Sequence, residues 1–205
     1  MGGLAKRVWA YVRLNGVGYT LRRGVEKVRD RGLREYDRLY RRERAGEAEL
    51  AQQRERKWQA APLVSILVPV YNTDPAMLRA AAESFRAQTY PHWEAILLDG
   101  ASTKPETVQC LKELEKLDDR LRVVFSGENL HISGNSNAAL RHAKGEWIAL
   151  CDHDDVLAPD ALWWIAEAID AHHPDVLYTD EDKLTAHGAI HVDAHRKPDF
   201  CPDNL

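Results

Sequence analysis

Cysteine is scarce. The 205-residue chain has three, Cys110, Cys151 and Cys201, odd in number and far apart. They form neither a disulfide framework nor a zinc cluster, and they suit a reducing cytoplasm. Long apolar runs are missing as well. The longest, Ala61 to Tyr71, is roughly half of what a bilayer crossing needs, so no transmembrane helix is expected. Lys6, Arg7 and Arg13 break up the first residues and no small-residue cleavage pattern follows, which argues against a signal peptide. There is no Walker loop and no G-x-G-x-x-G, so phosphate is not cradled by backbone alone. Ser65 and Ser84 lack the G-x-S-x-G setting of a hydrolase nucleophile. Aromatic residues are 8% of the chain, but hydrophobic residues reach 44%, enough for a core and too many for a wholly disordered chain.

What is present is unevenly charged. The net charge is −4, yet residues 1–60 hold 16 Lys and Arg against 8 Asp and Glu, and residues 61–205 hold 12 against 24. A basic leader therefore precedes an acidic body, and the expected division is 1–60 and 61–205. Val25, Val28, Tyr36, Leu39 and Tyr40 recur at helical spacing, Asp37 and Arg41 stand at i,i+4, and Gly46 breaks the helix predicted to run to about Gln59. Leu4, Val8, Trp9, Tyr11, Val12 and Leu14, mixed with basic residues, have the character of an interfacial segment. The leader reads either as a solvated arm or as a contact for an anionic membrane surface. No nucleic-acid-reading motif accompanies the charge, so nucleic acid is not an expected partner.

The body alternates strand and helix. Strands are expected at Val64–Pro69, Ala95–Leu98, Leu121–Phe125, Trp147–Cys151 and Val176–Thr179. Helices are expected after Asp74-Pro75, after a capping box at Thr103–Glu106, over Ser136–Ala143 and from Pro159. This is an α/β pattern with a mostly parallel sheet and flanking helices, preceded by a basic helical arm. Such sheets bind ligands beyond the carboxyl ends of their strands. Those ends are acidic or strongly polar: Tyr71-Asn72-Thr73, Asp99-Gly100, the Asn129–Asn137 stretch, Asp152-His153-Asp154-Asp155 and Asp180-Glu181-Asp182. Crowded acid at a ligand rim calls for a divalent cation, Mg²⁺ or Mn²⁺, shared with phosphate oxygens. In Asp152-x-Asp154 the i,i+2 spacing aims both carboxylates the same way as the chain leaves a strand. Asp155 is expected to cap the next helix.

Pro69-Val70-Tyr71-Asn72, Ser84 with Gln88-Thr89-Tyr90, Trp93-Glu94 and Asp99-Gly100 come first in a long series. Asn129, Ile132-Ser133, Asn137, Ala143-x-Gly145-Glu146, Asp152-His153-Asp154-Asp155, Pro159 and Tyr178–Lys183 complete it. From about Pro62 onward this resembles the family-2 inverting glycosyltransferases of bacterial cell-surface polysaccharide synthesis, which have the Rossmann-like GT-A fold. The resemblance implies a cytoplasmic enzyme, peripheral at the inner membrane face. It implies a UDP- or dTDP-linked sugar as donor and a glycan or lipid-linked acceptor. It places nucleotide binding at Pro69, Tyr71, Asn72, Asp99, Asn137 and Asp152, with Tyr71 stacking on the base and Asp99 accepting from it. Asp154 with Asp152 would ligate Mn²⁺ or Mg²⁺. The family's general base is expected beyond Leu205, so the chain is expected to bind donor but transfer it poorly, with Asp180 and Asp182 as fallback bases.

Three departures from the family pattern stand out. Asp99-Gly100-Ala101-Ser102 is offset by one from the usual Asp-Gly-Ser, His131 stands where Gly is usual, and Ser136 where Arg is frequent. Two other classes are weighed. Asp152–Val156 also fits the D-x-D-x-[TV] pattern of haloacid-dehalogenase-like phosphatases, but it follows the fourth strand instead of the first. A non-catalytic nucleotide-sugar-binding fragment or partner subunit is the second. His191 and His195 at i,i+4 belong to a hairpin or loop and not to a zinc helix, given Gly188, Val192 and Pro198. Trp163-Trp164 reads as half core and half interface in preference to a sugar platform.

Overall fold

A computed structural model of the chain describes residues 34–185 and 190–198. They fall into two compact units: residues 45–177, and a smaller one built from residues up to 44 together with those from 178 onward. The first 33 residues, with the interfacial segment and Val25 and Val28, lie outside the described residues, as do Gly188, Asp199, Phe200 and Cys201. Among the described residues no helix is long and apolar enough to cross a membrane.

In the smaller unit helix α1 runs through residues 34–43. Strand β5 (Glu181–Leu184) pairs antiparallel with β6 (His191–His195). Residues Tyr36, Asp37 and Tyr40 face this pair. Tyr36 Oη donates to Asp182 at 3.0 Å, Asp37 accepts from His191 N–H at 3.0 Å, and the Tyr40 ring stacks on His191 at 3.6 Å. Burial first, and then the Asp182 carboxylate, push the Tyr36 hydroxyl up to about 12. The Asp37–Arg41 ion pair forms as the spacing predicts. His191 and His195 each meet a carboxylate, Asp182 and Glu181, on the neighbouring strand.

The larger unit opens with α2 (Glu47–Glu55), for which Gly46 is the N-cap, so the predicted break falls where glycine stands. Next come β1 (Val64–Val70), α3 (Pro75–Arg86), β2 (Trp93–Asp99), α4 (Pro105–Leu114), β3 (Leu121–Phe125), α5 (His131–Leu140), β4 (Trp147–Leu150) and α6 (Ala161–His172). The strands form one parallel sheet in the order β3-β2-β1-β4. Alternation in β1 explains the layering. Val64, Ile66, Val68 and Val70 pack on Leu78, Ala82, Phe85 and Leu111 of α3 and α4, while Leu67, with Ile96 and Leu98 of β2, packs on Ala139 of α5. The order reverses between β1 and β4, which is where a parallel sheet opens a crevice.

Pro69 helps to open it. The odd residues of β1 turn their backbone groups toward β4: Leu63 and Leu67 carbonyls accept from Trp147 and Cys151. The β1–β4 ladder stops at Leu67–Leu150, so Pro69, which has no N–H to give, stands where the two strands part.

Four sequence expectations change. Val176–Thr179 is not a strand. His173 ends α6 in a left-handed conformation (φ 47°) and Val176 is 71% exposed, with no apolar face to bury it. The strand lies further on, at Glu181–Leu184, whose polar pattern hid it because it is held by pairing and not by burial. Thr103 is no capping box. Lys104 is the N-cap of α4 without a side-chain bond, and Asn72 Oδ1 accepts from the N–H groups of Thr103 and Lys104 instead. Helix α5 begins at His131, ahead of Ser136, because Asn129 Oδ1 caps His131 N–H at 2.9 Å. Asp155 caps no helix, since α6 starts at Ala161. The α6 N–H of Leu162 is met by Gln88 Oε1 at 2.9 Å.

Candidate functional site

An open cleft of about 420 Å³ lies at the carboxyl ends of the strands, with Pro69, Tyr71, Asn129, His131, Asn135 and His153 among its walls. Tyr71 is 44% exposed, a ring free on one side. The wall beside it is built by backbone constraint. Asn72 (φ 53°) spends its amide on the neighbouring loop, where Thr103 and Lys104 N–H donate to its Oδ1 and its Nδ2 donates to Thr103 Oγ1. Its N–H donates to Ser102 Oγ at 2.8 Å. Ala101 adopts φ 57°, a left-handed conformation uncommon for a residue with a Cβ.

Asp99 ends β2 and is 3% exposed, accepting from Ser102 N–H at 3.1 Å. A carboxylate has further lone pairs to offer. Gly100 follows because nothing larger fits: a Cβ there would collide with Asn135 Nδ2. Asn135 is itself 3% exposed. Its Nδ2 donates to Asn129 Oδ1 and its Oδ1 accepts from Leu130 N–H, both at 3.1 Å. Sequence reading singled out Asn137, which sits exposed on α5, and missed Asn135 two residues earlier. The helix start at His131 was the missing signal, because it rotates Asn135 inward.

Asp152, His153, Asp154 and Asp155 leave β4 as a turn, closed by Asp155 N–H to the Asp152 carbonyl at 3.2 Å. Asp152 and Asp154 are exposed, and His153 Nδ1 lies 3.5 Å from Asp154 Oδ1. Cys151 behind them is buried. Burial, reinforced by the charges of Asp155, Asp152 and Asp154, pushes its thiol up to about 12, so it is inert. The structure thus brings Pro69 and Tyr71 to the cleft wall and sets Asp152 and Asp154 on either side of His153, which also lines it. Asn72, Asp99, Asn137, Asp152 and Asp154 are not themselves part of that wall. Asp180 and Asp182 lie in the smaller unit, engaged by Lys197 N–H and by Tyr36 and His191.

The family model for Glycosyl transferase family 2 matches residues 65–182. The chain belongs to this family. Its parallel sheet and flanking helices are the GT-A arrangement. The chain is 50% identical over 152 residues to an uncharacterized protein, y4gI, of Sinorhizobium fredii, a match covering 73% of this chain and 16% of that protein. It is 34% identical over 151 residues to the O-antigen biosynthesis protein RfbC of Myxococcus xanthus, covering 70% and 11%. It therefore spans less than a fifth of the length of these two relatives. Among solved structures, Staphylococcus aureus TarS 1–349 in complex with UDP-GlcNAc is similar, with TM-score 0.51 and 28% identity over 55% of this chain and 32% of that one.

Some of the glycosyltransferase-like motif residues turn out to be scaffolding. Ser65, Glu94, Arg122 and the backbone at Lys144-Gly145 form one buried polar network. Lys144 N–H donates to Glu94 at 2.6 Å, Ser65 Oγ donates to it at 2.8 Å, Arg122 at 3.3 Å, and Gly145 N–H donates to Ser65 Oγ at 2.8 Å. Burial alone would raise the Glu94 carboxyl, but these donors outweigh it and hold it below the usual carboxylate range. The network fixes where β4 begins. His131 has φ 58°, the left-handed conformation that explains why glycine is usual there.

Proposed function

We propose that this chain provides the donor site of an inverting glycosyltransferase of cell-surface polysaccharide synthesis. The sugar passes from a nucleoside diphosphate to a hydroxyl of a glycan or lipid-linked acceptor. The observation that carries this reading is the convergence at the β1–β4 switch point: a ladder that ends before Pro69, a cleft walled by Tyr71 and His153, and two carboxylates leaving β4 in one turn. A volume of about 420 Å³ is in the range of small-ligand sites. The similar TarS structure holds UDP-GlcNAc, and the similar RfbC is named for O-antigen synthesis.

The donor set fits Mn²⁺ or Mg²⁺. It offers carboxylate oxygens and no thiolate, and among the described residues no cluster of three or more His, Cys, Asp or Glu side chains could hold a metal by itself. Asp152 and Asp154 would hold the cation together with diphosphate oxygens. Bound there, it supplies Lewis-acid stabilisation of the charge growing on the diphosphate leaving group. The protein's own part is positioning. Tyr71 stacks on the base, Asp99 accepts from it, and the Asn72 and Asn135 networks hold the walls still while the acceptor hydroxyl attacks the anomeric carbon from the opposite face.

Saturation-transfer NMR tests this. With a UDP- or dTDP-sugar, the base protons should receive saturation from the native chain and lose it in Tyr71→Ala. Signal of equal strength in both variants, or none from any nucleotide sugar, contradicts the assignment.

A further inference from the structure

The Asp152–Asp155 turn has one anchor on β4, where Cys151 N–H donates to the Leu67 carbonyl at 3.1 Å. Its second anchor comes from a distant helix end. Ser84 lies in the last turn of α3 and Gln88 one turn further on, just past the helix. Leu157 N–H donates to Ser84 Oγ at 3.1 Å. Gln88 Nε2 donates to the Ala158 carbonyl at 2.7 Å and to the Ser84 carbonyl at 3.0 Å. Gln88 Oε1 accepts from Leu162 N–H, and Thr89 N–H donates to the Pro159 carbonyl at 2.8 Å. Both amide protons and the oxygen of a buried carboxamide are thus committed to the backbone on either side of one crossing point. Asp160, which precedes α6, makes no capping bond of its own; Gln88 does that work from another helix.

We propose that Gln88, assisted by Ser84, is a positioning residue for the Asp152 and Asp154 carboxylates. The inference rests on reading those carboxylates as the cation site. With the clamp in place, the chain between fixed points is residues 152–156. Without Gln88, Leu157 and Pro159 keep their bonds to Ser84 Oγ and Thr89 N–H, but the holds on Ala158 and on Leu162 at the start of α6 are lost, and the support behind the turn slackens. The turn's own backbone bond, Asp155 to Asp152, does not fix where the turn points. Mg²⁺ demands oxygens at about 2.0–2.1 Å in near-octahedral order, so two carboxylates on a loosened span meet one such ion only part of the time. Groups that orient metal ligands from behind typically change metal affinity by about 10–100-fold.

The experiment is Mn²⁺ titration in the presence of UDP, read by electron paramagnetic resonance, on the full chain and on Gln88→Met, which keeps length and apolar bulk but none of the hydrogen bonds. Amide hydrogen exchange is measured beside it. The expected result is a Mn²⁺ dissociation constant raised about 10–100-fold, with a changed spectral line shape. Exchange should speed up at residues 152–162 and stay native in β1 and β2, a pattern that a general loss of stability does not give. If Gln88→Met does not fold, Ser84→Ala removes the Leu157 bond, together with the hydroxyl's own bond to the Ala81 carbonyl, and should shift affinity and exchange in the same direction by less. Native Mn²⁺ affinity and line shape in a folded variant would overturn the positioning role. Failure of the native chain to bind Mn²⁺ with UDP would instead overturn the cation-site reading, and the role of Gln88 with it.

Discussion

Replacing Gly145 with alanine tests the scaffold that carries the site. A Cβ there would stand 2.5 Å from the Leu63 carbonyl oxygen, 2.7 Å from Ser65 Oγ and 2.8 Å from Ser65 N. Two of these atoms are backbone at the start of the central strand and cannot rotate away. Relief has to come from moving the Lys144-Gly145 segment, which strips Gly145 N–H from Ser65 Oγ and Lys144 N–H from Glu94. Overpacking costs about 1–3 kcal/mol. Losing a hydrogen bond to a charged, buried acceptor costs about 1.5–3 kcal/mol more. The expected loss is therefore about 2.5–6 kcal/mol, a large fraction of the stability of an ordinary domain. Urea unfolding followed by tryptophan fluorescence measures it. Gly127→Ala is the control, because nothing lies within 4 Å of its added Cβ. A Gly145→Ala loss no larger than that of Gly127→Ala would refute the close-approach argument.

Other consequences are open to direct measurement. Because the Glu94 carboxyl is held below its ordinary value, its stabilisation is present above about pH 4.3 and is lost as pH falls through the folded value; Glu94→Gln should flatten the acid limb of a stability-versus-pH curve, and an unchanged slope contradicts this. His131→Gly should raise stability by about 1 kcal/mol by removing a left-handed non-glycine residue, measured as a higher urea midpoint; a lower midpoint would mean that the imidazole makes a stabilising contact. The basic leader should bind anionic vesicles, with affinity that falls steeply with salt; a chain starting at Ala60 that co-sediments equally well would sink that idea.

The parallel sheet was legible because its four strands are short, mostly apolar runs set off by Asp, Gly and Pro; β1 and β2 are buried almost throughout, while β4, with Ile148 and Leu150 exposed, is held by its ladder with β1. Glu181–Leu184 escaped notice for the converse reason: it is mostly polar, and it pairs with His195, Val192 and His191, a strand that no hydrophobic period announces. Helix starts were the weakest part. Asp74 caps its own helix, as its position before Pro75 suggests, but α4 and α6 are capped by Asn72 and Gln88 from distant segments. Caps supplied across the fold leave no local trace, so Asp155 and Thr103 were given a role held elsewhere. Of the acidic strand ends, Asp99 and the Asp152–Asp155 turn do follow strands of the sheet, whereas Asp180–Asp182 belongs to the smaller unit and follows none of them. That Asn135 supports the cleft while Asn137 faces outward depended on where one helix begins.

Calorimetric titration of a UDP- or dTDP-sugar into the native chain, with Mn²⁺ and again with EDTA, tests the central claim most directly, with Asp154→Ala and Asp155→Ala alongside. The account predicts binding that requires the cation, is lost in Asp154→Ala and is retained in Asp155→Ala. Tight binding indifferent to EDTA, or equal loss in both variants, would contradict it.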